Sequence, residues 1–416
     1  MYARKGVFVI VKNMLKSVAI VGAGINGLLT AFLLTENYPD LHIDVYDAEK
    51  RPSSTSRHRG VTYGSRDARH ITGSESIGYE SSIHKDALRN TPKHSVAGWL
   101  LKDEASLTLK EKQWRERFEG TYVGSDGLNN LDFAHAELNY KGLAAWNDLI
   151  RKYPFMSSYV LSRDGVDVYF TDKASFDDDL VMEAEFCERY FKAGTVQARQ
   201  NDELKSLYSK KLVVPGLTIR VMSLATDLLE RLEIDTNVRL HWESTIANGD
   251  KLNNQVIIWS AGVTHTQPTE YQEHDVQGVV GCWVTIPNRG YHQPFKIAAP
   301  PPSAYMNFTP DGSQLHVSGG FGWTGEYTEG SIINEIAAPL AEHFVGQINK
   351  YLDANVKTED VDYCVRASTT TGQPVQLTKT SHGKRNIFIT GSGKSGTTHA
   401  PVLSEYVLKQ IDNYAG

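Results

Sequence analysis

Val18-Ala-Ile-Val21-Gly22-Ala-Gly24-Ile-Asn-Gly27 is the stretch on which the fold turns. The four apolar residues read as a buried strand, the glycines have G-x-G-x-x-G spacing, and Leu28 to Leu34 reads as a helix. That helix must end before Pro39. Leu41-His-Ile-Asp-Val-Tyr-Asp47 then reads as a second strand, closing on an acid 20 residues after Gly27. Each part has a physical task. Gly22 permits a tight turn, and Gly24 lets the backbone approach a pyrophosphate. Ile25 and Asn26 open the helix whose N-terminus would face that group, and Gly27 allows close helix-strand packing. Asp47 can accept a bond from a ribose hydroxyl. Strand, glycines, helix and acid together point to a dinucleotide site. A lone glycine-rich turn in an ordinary α/β domain would need only the glycines.

The whole chain sets the frame. Its 416 residues call for at least two cores, and 40% hydrophobic with 22% charged residues is the balance of a folded globular protein. A net charge of -6 with no basic run argues against nucleic acid as a partner. Cys187, Cys282 and Cys364 are widely spaced, which suggests neither a disulfide framework nor a metal site and fits a reducing cytoplasm. The apolar run Val7 to Val11 is too short for a signal sequence or a membrane span, and no other stretch reaches the required ~20 apolar residues. No histidine pair has metal-ligand spacing. His58, His70 and His265 read as surface or packing residues, and the tryptophans as core.

A second glycine-rich turn lies near the other end. Asn386-Ile-Phe-Ile-Thr390 is strand-like and leads into Gly391-Ser-Gly-Lys-Ser-Gly-Thr-Thr398, with Ala400 to Ile411 as the following helix. Gly-Lys-Ser suggests a nucleotide triphosphatase, but the pattern needs glycine five residues before Gly393, where Phe388 stands. That class is a remote alternative. A serine hydrolase elbow also fails, because Thr397 occupies the position two after Ser395.

Four separated stretches, taken in order, resemble the D-amino-acid oxidase and glycine/sarcosine oxidase superfamily of flavoproteins. They are the N-terminal fingerprint with Asp47; Asp67-Ala-Arg69-His-Ile71; Val256-Ile-Ile-Trp-Ser-Ala-Gly262; and the pair Arg366-Ala-Ser-Thr-Thr-Thr-Gly-Gln-Pro374 with Gly391 to Thr398. Thr371, where aspartate is usual, and Lys394-Ser395 in the final loop depart from the pattern. The resemblance implies FAD. It also implies an α/β fold in which a discontinuous, Rossmann-like FAD domain (15–75, 205–265, 362–416) joins an α+β substrate domain with an antiparallel sheet (76–204, 266–361). Residues 71–132 look like a family-specific insertion, either a lid or else an oligomer contact or surface elaboration. Val166 to Phe170 alternates like a strand, Leu224, Leu228, Leu229 and Leu232 share one helical face, and Met306 to Phe308 with Leu315 to Ser318 suggests antiparallel pairing.

By the same resemblance the FAD contacts comprise Gly22, Gly24, Ile25, Asn26, Gly27, Asp47, Ser56, Arg57, Gly262, Cys364, Gly391, Gly393, Lys394, Gly396, Thr397 and Thr398. Cys364 falls where sarcosine oxidase has its flavin-linked cysteine, so the residue is either a covalent link or a small packing group. Arg69 and Arg366 are candidate anchors for a substrate carboxylate. Thr72 stands where sarcosine oxidase has a second arginine, which argues against a sarcosine-like substrate. His316 falls where that enzyme has a lysine, a cation that would favour reaction with dioxygen. The implied activity is oxidation of a CH-NH bond in an amino acid or secondary amine, with dioxygen or another electron acceptor. A 2-hydroxy-acid or polyol dehydrogenase is the alternative.

Overall fold

The computed structural model describes residues 15–53, 60–64, 68–73, 99–100, 104–121, 130–190, 196–200, 204, 207–263, 276–298, 306–325, 331–381 and 383–415. Ser56, Arg57, His58 and His265 lie outside them, as does most of the 71–132 segment. In chain order the strands are β1 Ser17–Val21, β2 His42–Tyr46, β3 Ala68–Thr72, β4 Trp99–Leu100, β5 Val160–Ser162, β6 Val166–Phe170, β7 Gln197–Gln200, β8 Lys210–Val214 and β9 Gly216–Arg220. They continue as β10 Val238–His241, β11 Val256–Trp259, β12 Gln277–Pro287, β13 Phe295–Ala298, β14 Met306–Asp311, β15 Gln314–Gly325, β16 Asp362–Ser368, β17 Val375–Ser381 and β18 Lys384–Thr390.

Six of these form a sheet ordered β10-β2-β1-β11-β18-β17. Its strands are parallel except for the last pair. Parallel sheets are covered on both faces, which explains why β1 reads as a continuous apolar run. Val18 and Ile20 join a core with Leu28, Leu33, Leu228 and Leu403. Ala19 and Val21 join another with Ile257, Trp259 and Phe388. The Val221–Glu233 helix buries Leu224, Leu228, Leu229 and Leu232, the face their spacing predicts. Truncating one such leucine to alanine costs about 2–5 kcal/mol.

A nine-stranded sheet runs β16-β12-β15-β14-β13-β6-β8-β7, with β4 added beside β15. It is largely antiparallel, with β6·β13 and β4·β15 as parallel pairs. The β14·β15 pairing is the antiparallel one the sequence suggests. One face is apolar, with Val280, Val284, Phe308 and Val317 packed against Ile336, Leu340 and Phe344 of the Ser331–Leu352 helix. A small sheet, β3-β9-β5, completes the mixed α/β architecture. Val166–Phe170 is the strand its alternation suggests and is buried at every position; Asp167 tolerates this because Lys211 Nζ donates to it at 2.7 Å. Among the described residues no helix is long and apolar enough to cross a membrane.

Candidate cofactor cleft and adjoining polar floor

At the C-terminal end of β1 the chain turns so sharply that Gly22 has φ +108°, and a Cβ there would meet Ser260 O at 2.6 Å. A Cβ on Gly27 would lie 1.9 Å from Gly22 O, so only glycine lets the Ile25–Asn37 helix start this close to the turn. Gly24 is the N-cap and supplies no side chain. Thr62 does that work from another segment, its Oγ1 accepting from Ile25 N at 2.9 Å. Asp47 steadies the loop, with Oδ2 accepting from Ala23 N at 2.7 Å and Oδ1 from Glu49 N at 2.8 Å. A carboxylate has about four acceptor sites, so two such bonds leave capacity for a ribose hydroxyl.

The second glycine-rich turn sits beside the first because β18 pairs with β11, itself next to β1. Gly391 and Gly393 take φ of +82° and +54° before the Gly396–Ala415 helix begins. Two helix N-termini, each the positive end of a dipole, therefore open onto one crevice at the carboxyl ends of parallel strands. The resulting cleft has a volume of about 560 Å³. Gly22, Gly24, Ile25, Asn26, Asp47, Gly262, Gly391, Gly393, Lys394, Gly396 and Thr397 all line it. Gly27 lies behind the turn, and Thr398 packs against Gly142 on the far side of its loop, where a Cβ on Gly142 would meet Thr398 O at 2.2 Å.

Four contributors had no signal in the spacing of motifs. Thr62 comes from the Val61–Gly64 turn, and Ser244 follows β10. Val365 and Ala367 come from β16. Trp146 acts from behind, its Nε1 donating to Thr397 O at 2.8 Å and fixing the second loop.

An elongated crevice between two helix N-termini, with an acid at its far strand, fits a dinucleotide. Side-chain oxygens test the fit further. Among the described residues Asn26 Oδ1, Thr390 Oγ1 and Ser392 Oγ are buried with no hydrogen-bond partner, and all three residues line the cleft. Buried polar atoms are rarely left so, and a polar ligand in the cleft would satisfy them.

Strand alternation divides β16. Val365 and Ala367 turn to the cleft, while Cys364 and Arg366 are buried on the other face. That face of the nine-stranded sheet is a polar floor. Arg366 Nη1 donates to Gly320 O at 3.0 Å, and its Cζ stands 4.9 Å from the Trp283 ring and 5.0 Å from that of Phe321. Arg69 Cζ, from β3, also stands 4.9 Å from the Trp283 ring. Two candidate anchors far apart in sequence thus share one indole, as stacking of the planar guanidinium allows. His316 lies further along, its Nδ1 2.9 Å from Thr285 Oγ1 and its Nε2 3.8 Å from Asp311. His70 Nε2 is 2.8 Å from Thr309 Oγ1. Burial pushes the Cys364 thiol up to about 11, against the pull of Arg366 and Arg69.

No curated protein sequence matches the chain. Among solved structures, iminodiacetate oxidase (IdaA) from Chelativorans sp. BNC1 aligns with TM-score 0.57 at 16% identity over 93% of each chain. L-proline dehydrogenase from P.horikoshii aligns with TM-score 0.55 at 10% identity, covering 95% of this chain and 94% of its own. L-amino acid deaminase from Proteus vulgaris gives TM-score 0.55 at 10% identity over 99% and 96%. At these identities the likeness is one of fold. The family described as FAD dependent oxidoreductase matches residues 17–410, almost all of the described chain, and this protein belongs to that family.

Proposed function

We propose that this flavoenzyme oxidises a CH-NH bond in an amino acid or secondary amine that carries a carboxylate. The observation that supports the reading is the convergence of Arg69 and Arg366 on Trp283, at the edge where β16 passes from the cleft to the polar floor. A substrate carboxylate taken from water into such a place needs a fixed cation, and a guanidinium fork matches it with two parallel hydrogen bonds. The similar folds of iminodiacetate oxidase, proline dehydrogenase and amino acid deaminase agree with a substrate of this class.

FAD supplies the two-electron acceptor for hydrogen leaving the α-carbon, and the amine loses a proton to give an imine that water hydrolyses. The chain's share is position. Gly22, Gly24 and the Gly391–Gly393 turn hold the cofactor, with Asp47 placed for the ribose. Arg366 and Arg69 orient the carboxylate so that the α-carbon faces the cleft, and the Trp283 ring fixes both guanidiniums. His316 is assigned the role of favouring dioxygen as the acceptor.

Anaerobic mixing of the FAD-loaded protein with amino acids, N-alkyl amino acids, 2-hydroxy acids and polyols tests this. Bleaching of the flavin by amines alone supports it. Bleaching by hydroxy acids or polyols alone replaces it with the alcohol-oxidising alternative. Reoxidation in air no faster than that of free reduced flavin would assign the electrons to another acceptor.

A further inference from the structure

One face of the Asn130–Lys152 helix is given over to the backbone of other segments. His135, Asn139, Gly142 and Trp146 recur every three or four residues, which places them on a single helical stripe. His135 Nε2 stands 2.8 Å from Thr371 O, Gly142 lets Thr398 O approach, and Trp146 Nε1 donates to Thr397 O. Asn139 joins two segments at once. Its Nδ2 donates to Gly73 O at 3.1 Å, which fixes the orientation of the amide, so its Oδ1 accepts from His399 Nε2 at 2.8 Å.

The two segments so joined lie on opposite sides of the site. His399 is in the first turn of the Gly396–Ala415 helix, two residues after the cleft-lining Thr397. Gly73 directly follows β3, the strand that carries Arg69 to the Trp283 ring. Among the described residues β3 is an edge strand, bonded to β9 along one side. His70 ties its middle to Thr309, and the Asn139 amide ties its end. A Cβ on Gly73 would meet Tyr140 Cζ at 2.1 Å, so the chain here lies directly against the helix.

Packing alone does not account for His399. Its ring is fully buried, and Nδ1 has no hydrogen-bond partner among the described residues. Burial, with the neighbouring His135, pushes its pKa down to about 3, so the imidazole is neutral. A leucine would fill such a space without leaving a polar atom unsatisfied. What the histidine adds is a donor aimed at Asn139.

We propose that His399 and Asn139 are positioning residues that pass the ordering of the FAD turn on to β3, so that bound cofactor holds in place the strand carrying Arg69. With FAD held at Gly396 and Thr397, the first helical turn is restrained, the turn fixes the imidazole, and the amide carries the restraint to Gly73 O.

Hydrogen exchange read by mass spectrometry tests this without a substrate. The apoprotein and the FAD-saturated protein are compared for peptides covering residues 68–73 and 17–47. In the natural protein FAD should slow exchange in both, at 68–73 by about fivefold or more, roughly the effect of one neutral hydrogen bond. His399→Leu and Asn139→Leu should lose most of the slowing at 68–73 and keep it at 17–47, which shows FAD still bound. His399→Gln, whose amide also offers a neutral N-H donor, should restore it. A merely structural role would lower stability and leave the FAD-dependent difference at 68–73 unchanged. No slowing at 68–73 in the natural protein overturns the proposal even if the leucine variants do not fold, and so does slowing that survives in both of them. Flavin reduction is followed separately. An amine that bleaches the natural protein should do so about tenfold or more slowly in His399→Leu at saturation, and an unchanged rate overturns the positioning role. This last measure rests on the amine-oxidising reading: if no amine bleaches the flavin, that reading fails, while the exchange comparison still decides the proposal.

Discussion

Arg366 lies directly over Gly281. A Cβ built on that glycine would come within 2.3 Å of Arg366 Nη2. The guanidinium has little room to yield, because it is bonded to Gly320 O and lies between the rings of Trp283 and Phe321. Gly281→Ala should therefore move the guanidinium without touching the glycine turns that line the cleft. The expected outcome is a rise in KM of about tenfold or more for a carboxylate substrate, with FAD content unchanged. Arg366→Met should raise KM further or abolish turnover, again with flavin bound. Unchanged kinetics in both variants would remove Arg366 from the site.

Trp146 makes a prediction about the cofactor alone. Its indole N-H donates to Thr397 O from a fully buried position. Trp146→Phe leaves that carbonyl unpaired, a loss of about 1–3 kcal/mol. The second glycine turn would then be held less firmly, and the FAD dissociation constant should rise about tenfold or more. Fluorescence titration of the apoprotein with FAD measures this directly. An unchanged constant would mean that Trp146 supports folding only.

The two glycine turns were legible because their chemistry is local. A tight turn, a close approach and a helix start each need particular residues at fixed spacing, and Gly22, Gly24, Gly27, Gly391 and Gly393 meet those needs within a few positions of one another. Asp47 was legible because one strand and one helix set its distance from the turn. Thr62, Trp146 and Trp283 were not, since each reaches the site from a separate segment and its side chain is equally at home in an ordinary core. Arg69 and Arg366 appeared as separate candidates, and only the pairing of β12 with β16 and the crossing of β3 bring both onto Trp283.

The Arg220–Asp311 ion pair ties β9 to β14 and gives a pH-dependent term. Arg220 Nε donates to Asp311 Oδ2 at 2.8 Å. The Arg220 hydrogen bond, aided by its charge and by His316, holds the Asp311 carboxyl below its ordinary 3.8. A lowered folded-state value means the pair contributes fully above about pH 4 to 5 and is lost as pH falls through that value. Asp311→Asn should thus lower Tm by a nearly constant amount from neutral pH down to about pH 5. The deficit should close toward pH 3. Thermal unfolding of both proteins across this range checks the sign, and a deficit that grows in acid would contradict it.

Cys364 leads to a prediction about how FAD is attached. Covalent bonding would need a thiolate beside the flavin, and two features oppose it. Burial pushes the thiol up to about 11, which disfavours the thiolate near neutral pH. Alternation along β16 also turns Cys364 away from the cleft that Val365 and Ala367 line. Arg366 and Arg69 pull the thiol toward ionisation, but burial is the larger effect. FAD should accordingly be released to the supernatant on acid precipitation, and Cys364→Ala should bind FAD with an affinity within a few-fold of the natural protein. The same burial should make Cys364 slow to react with an alkylating agent at pH 8 until the chain is unfolded. Yellow colour retained in the acid pellet, and lost from it in Cys364→Ala, would establish a covalent bond and refute this account of the thiol.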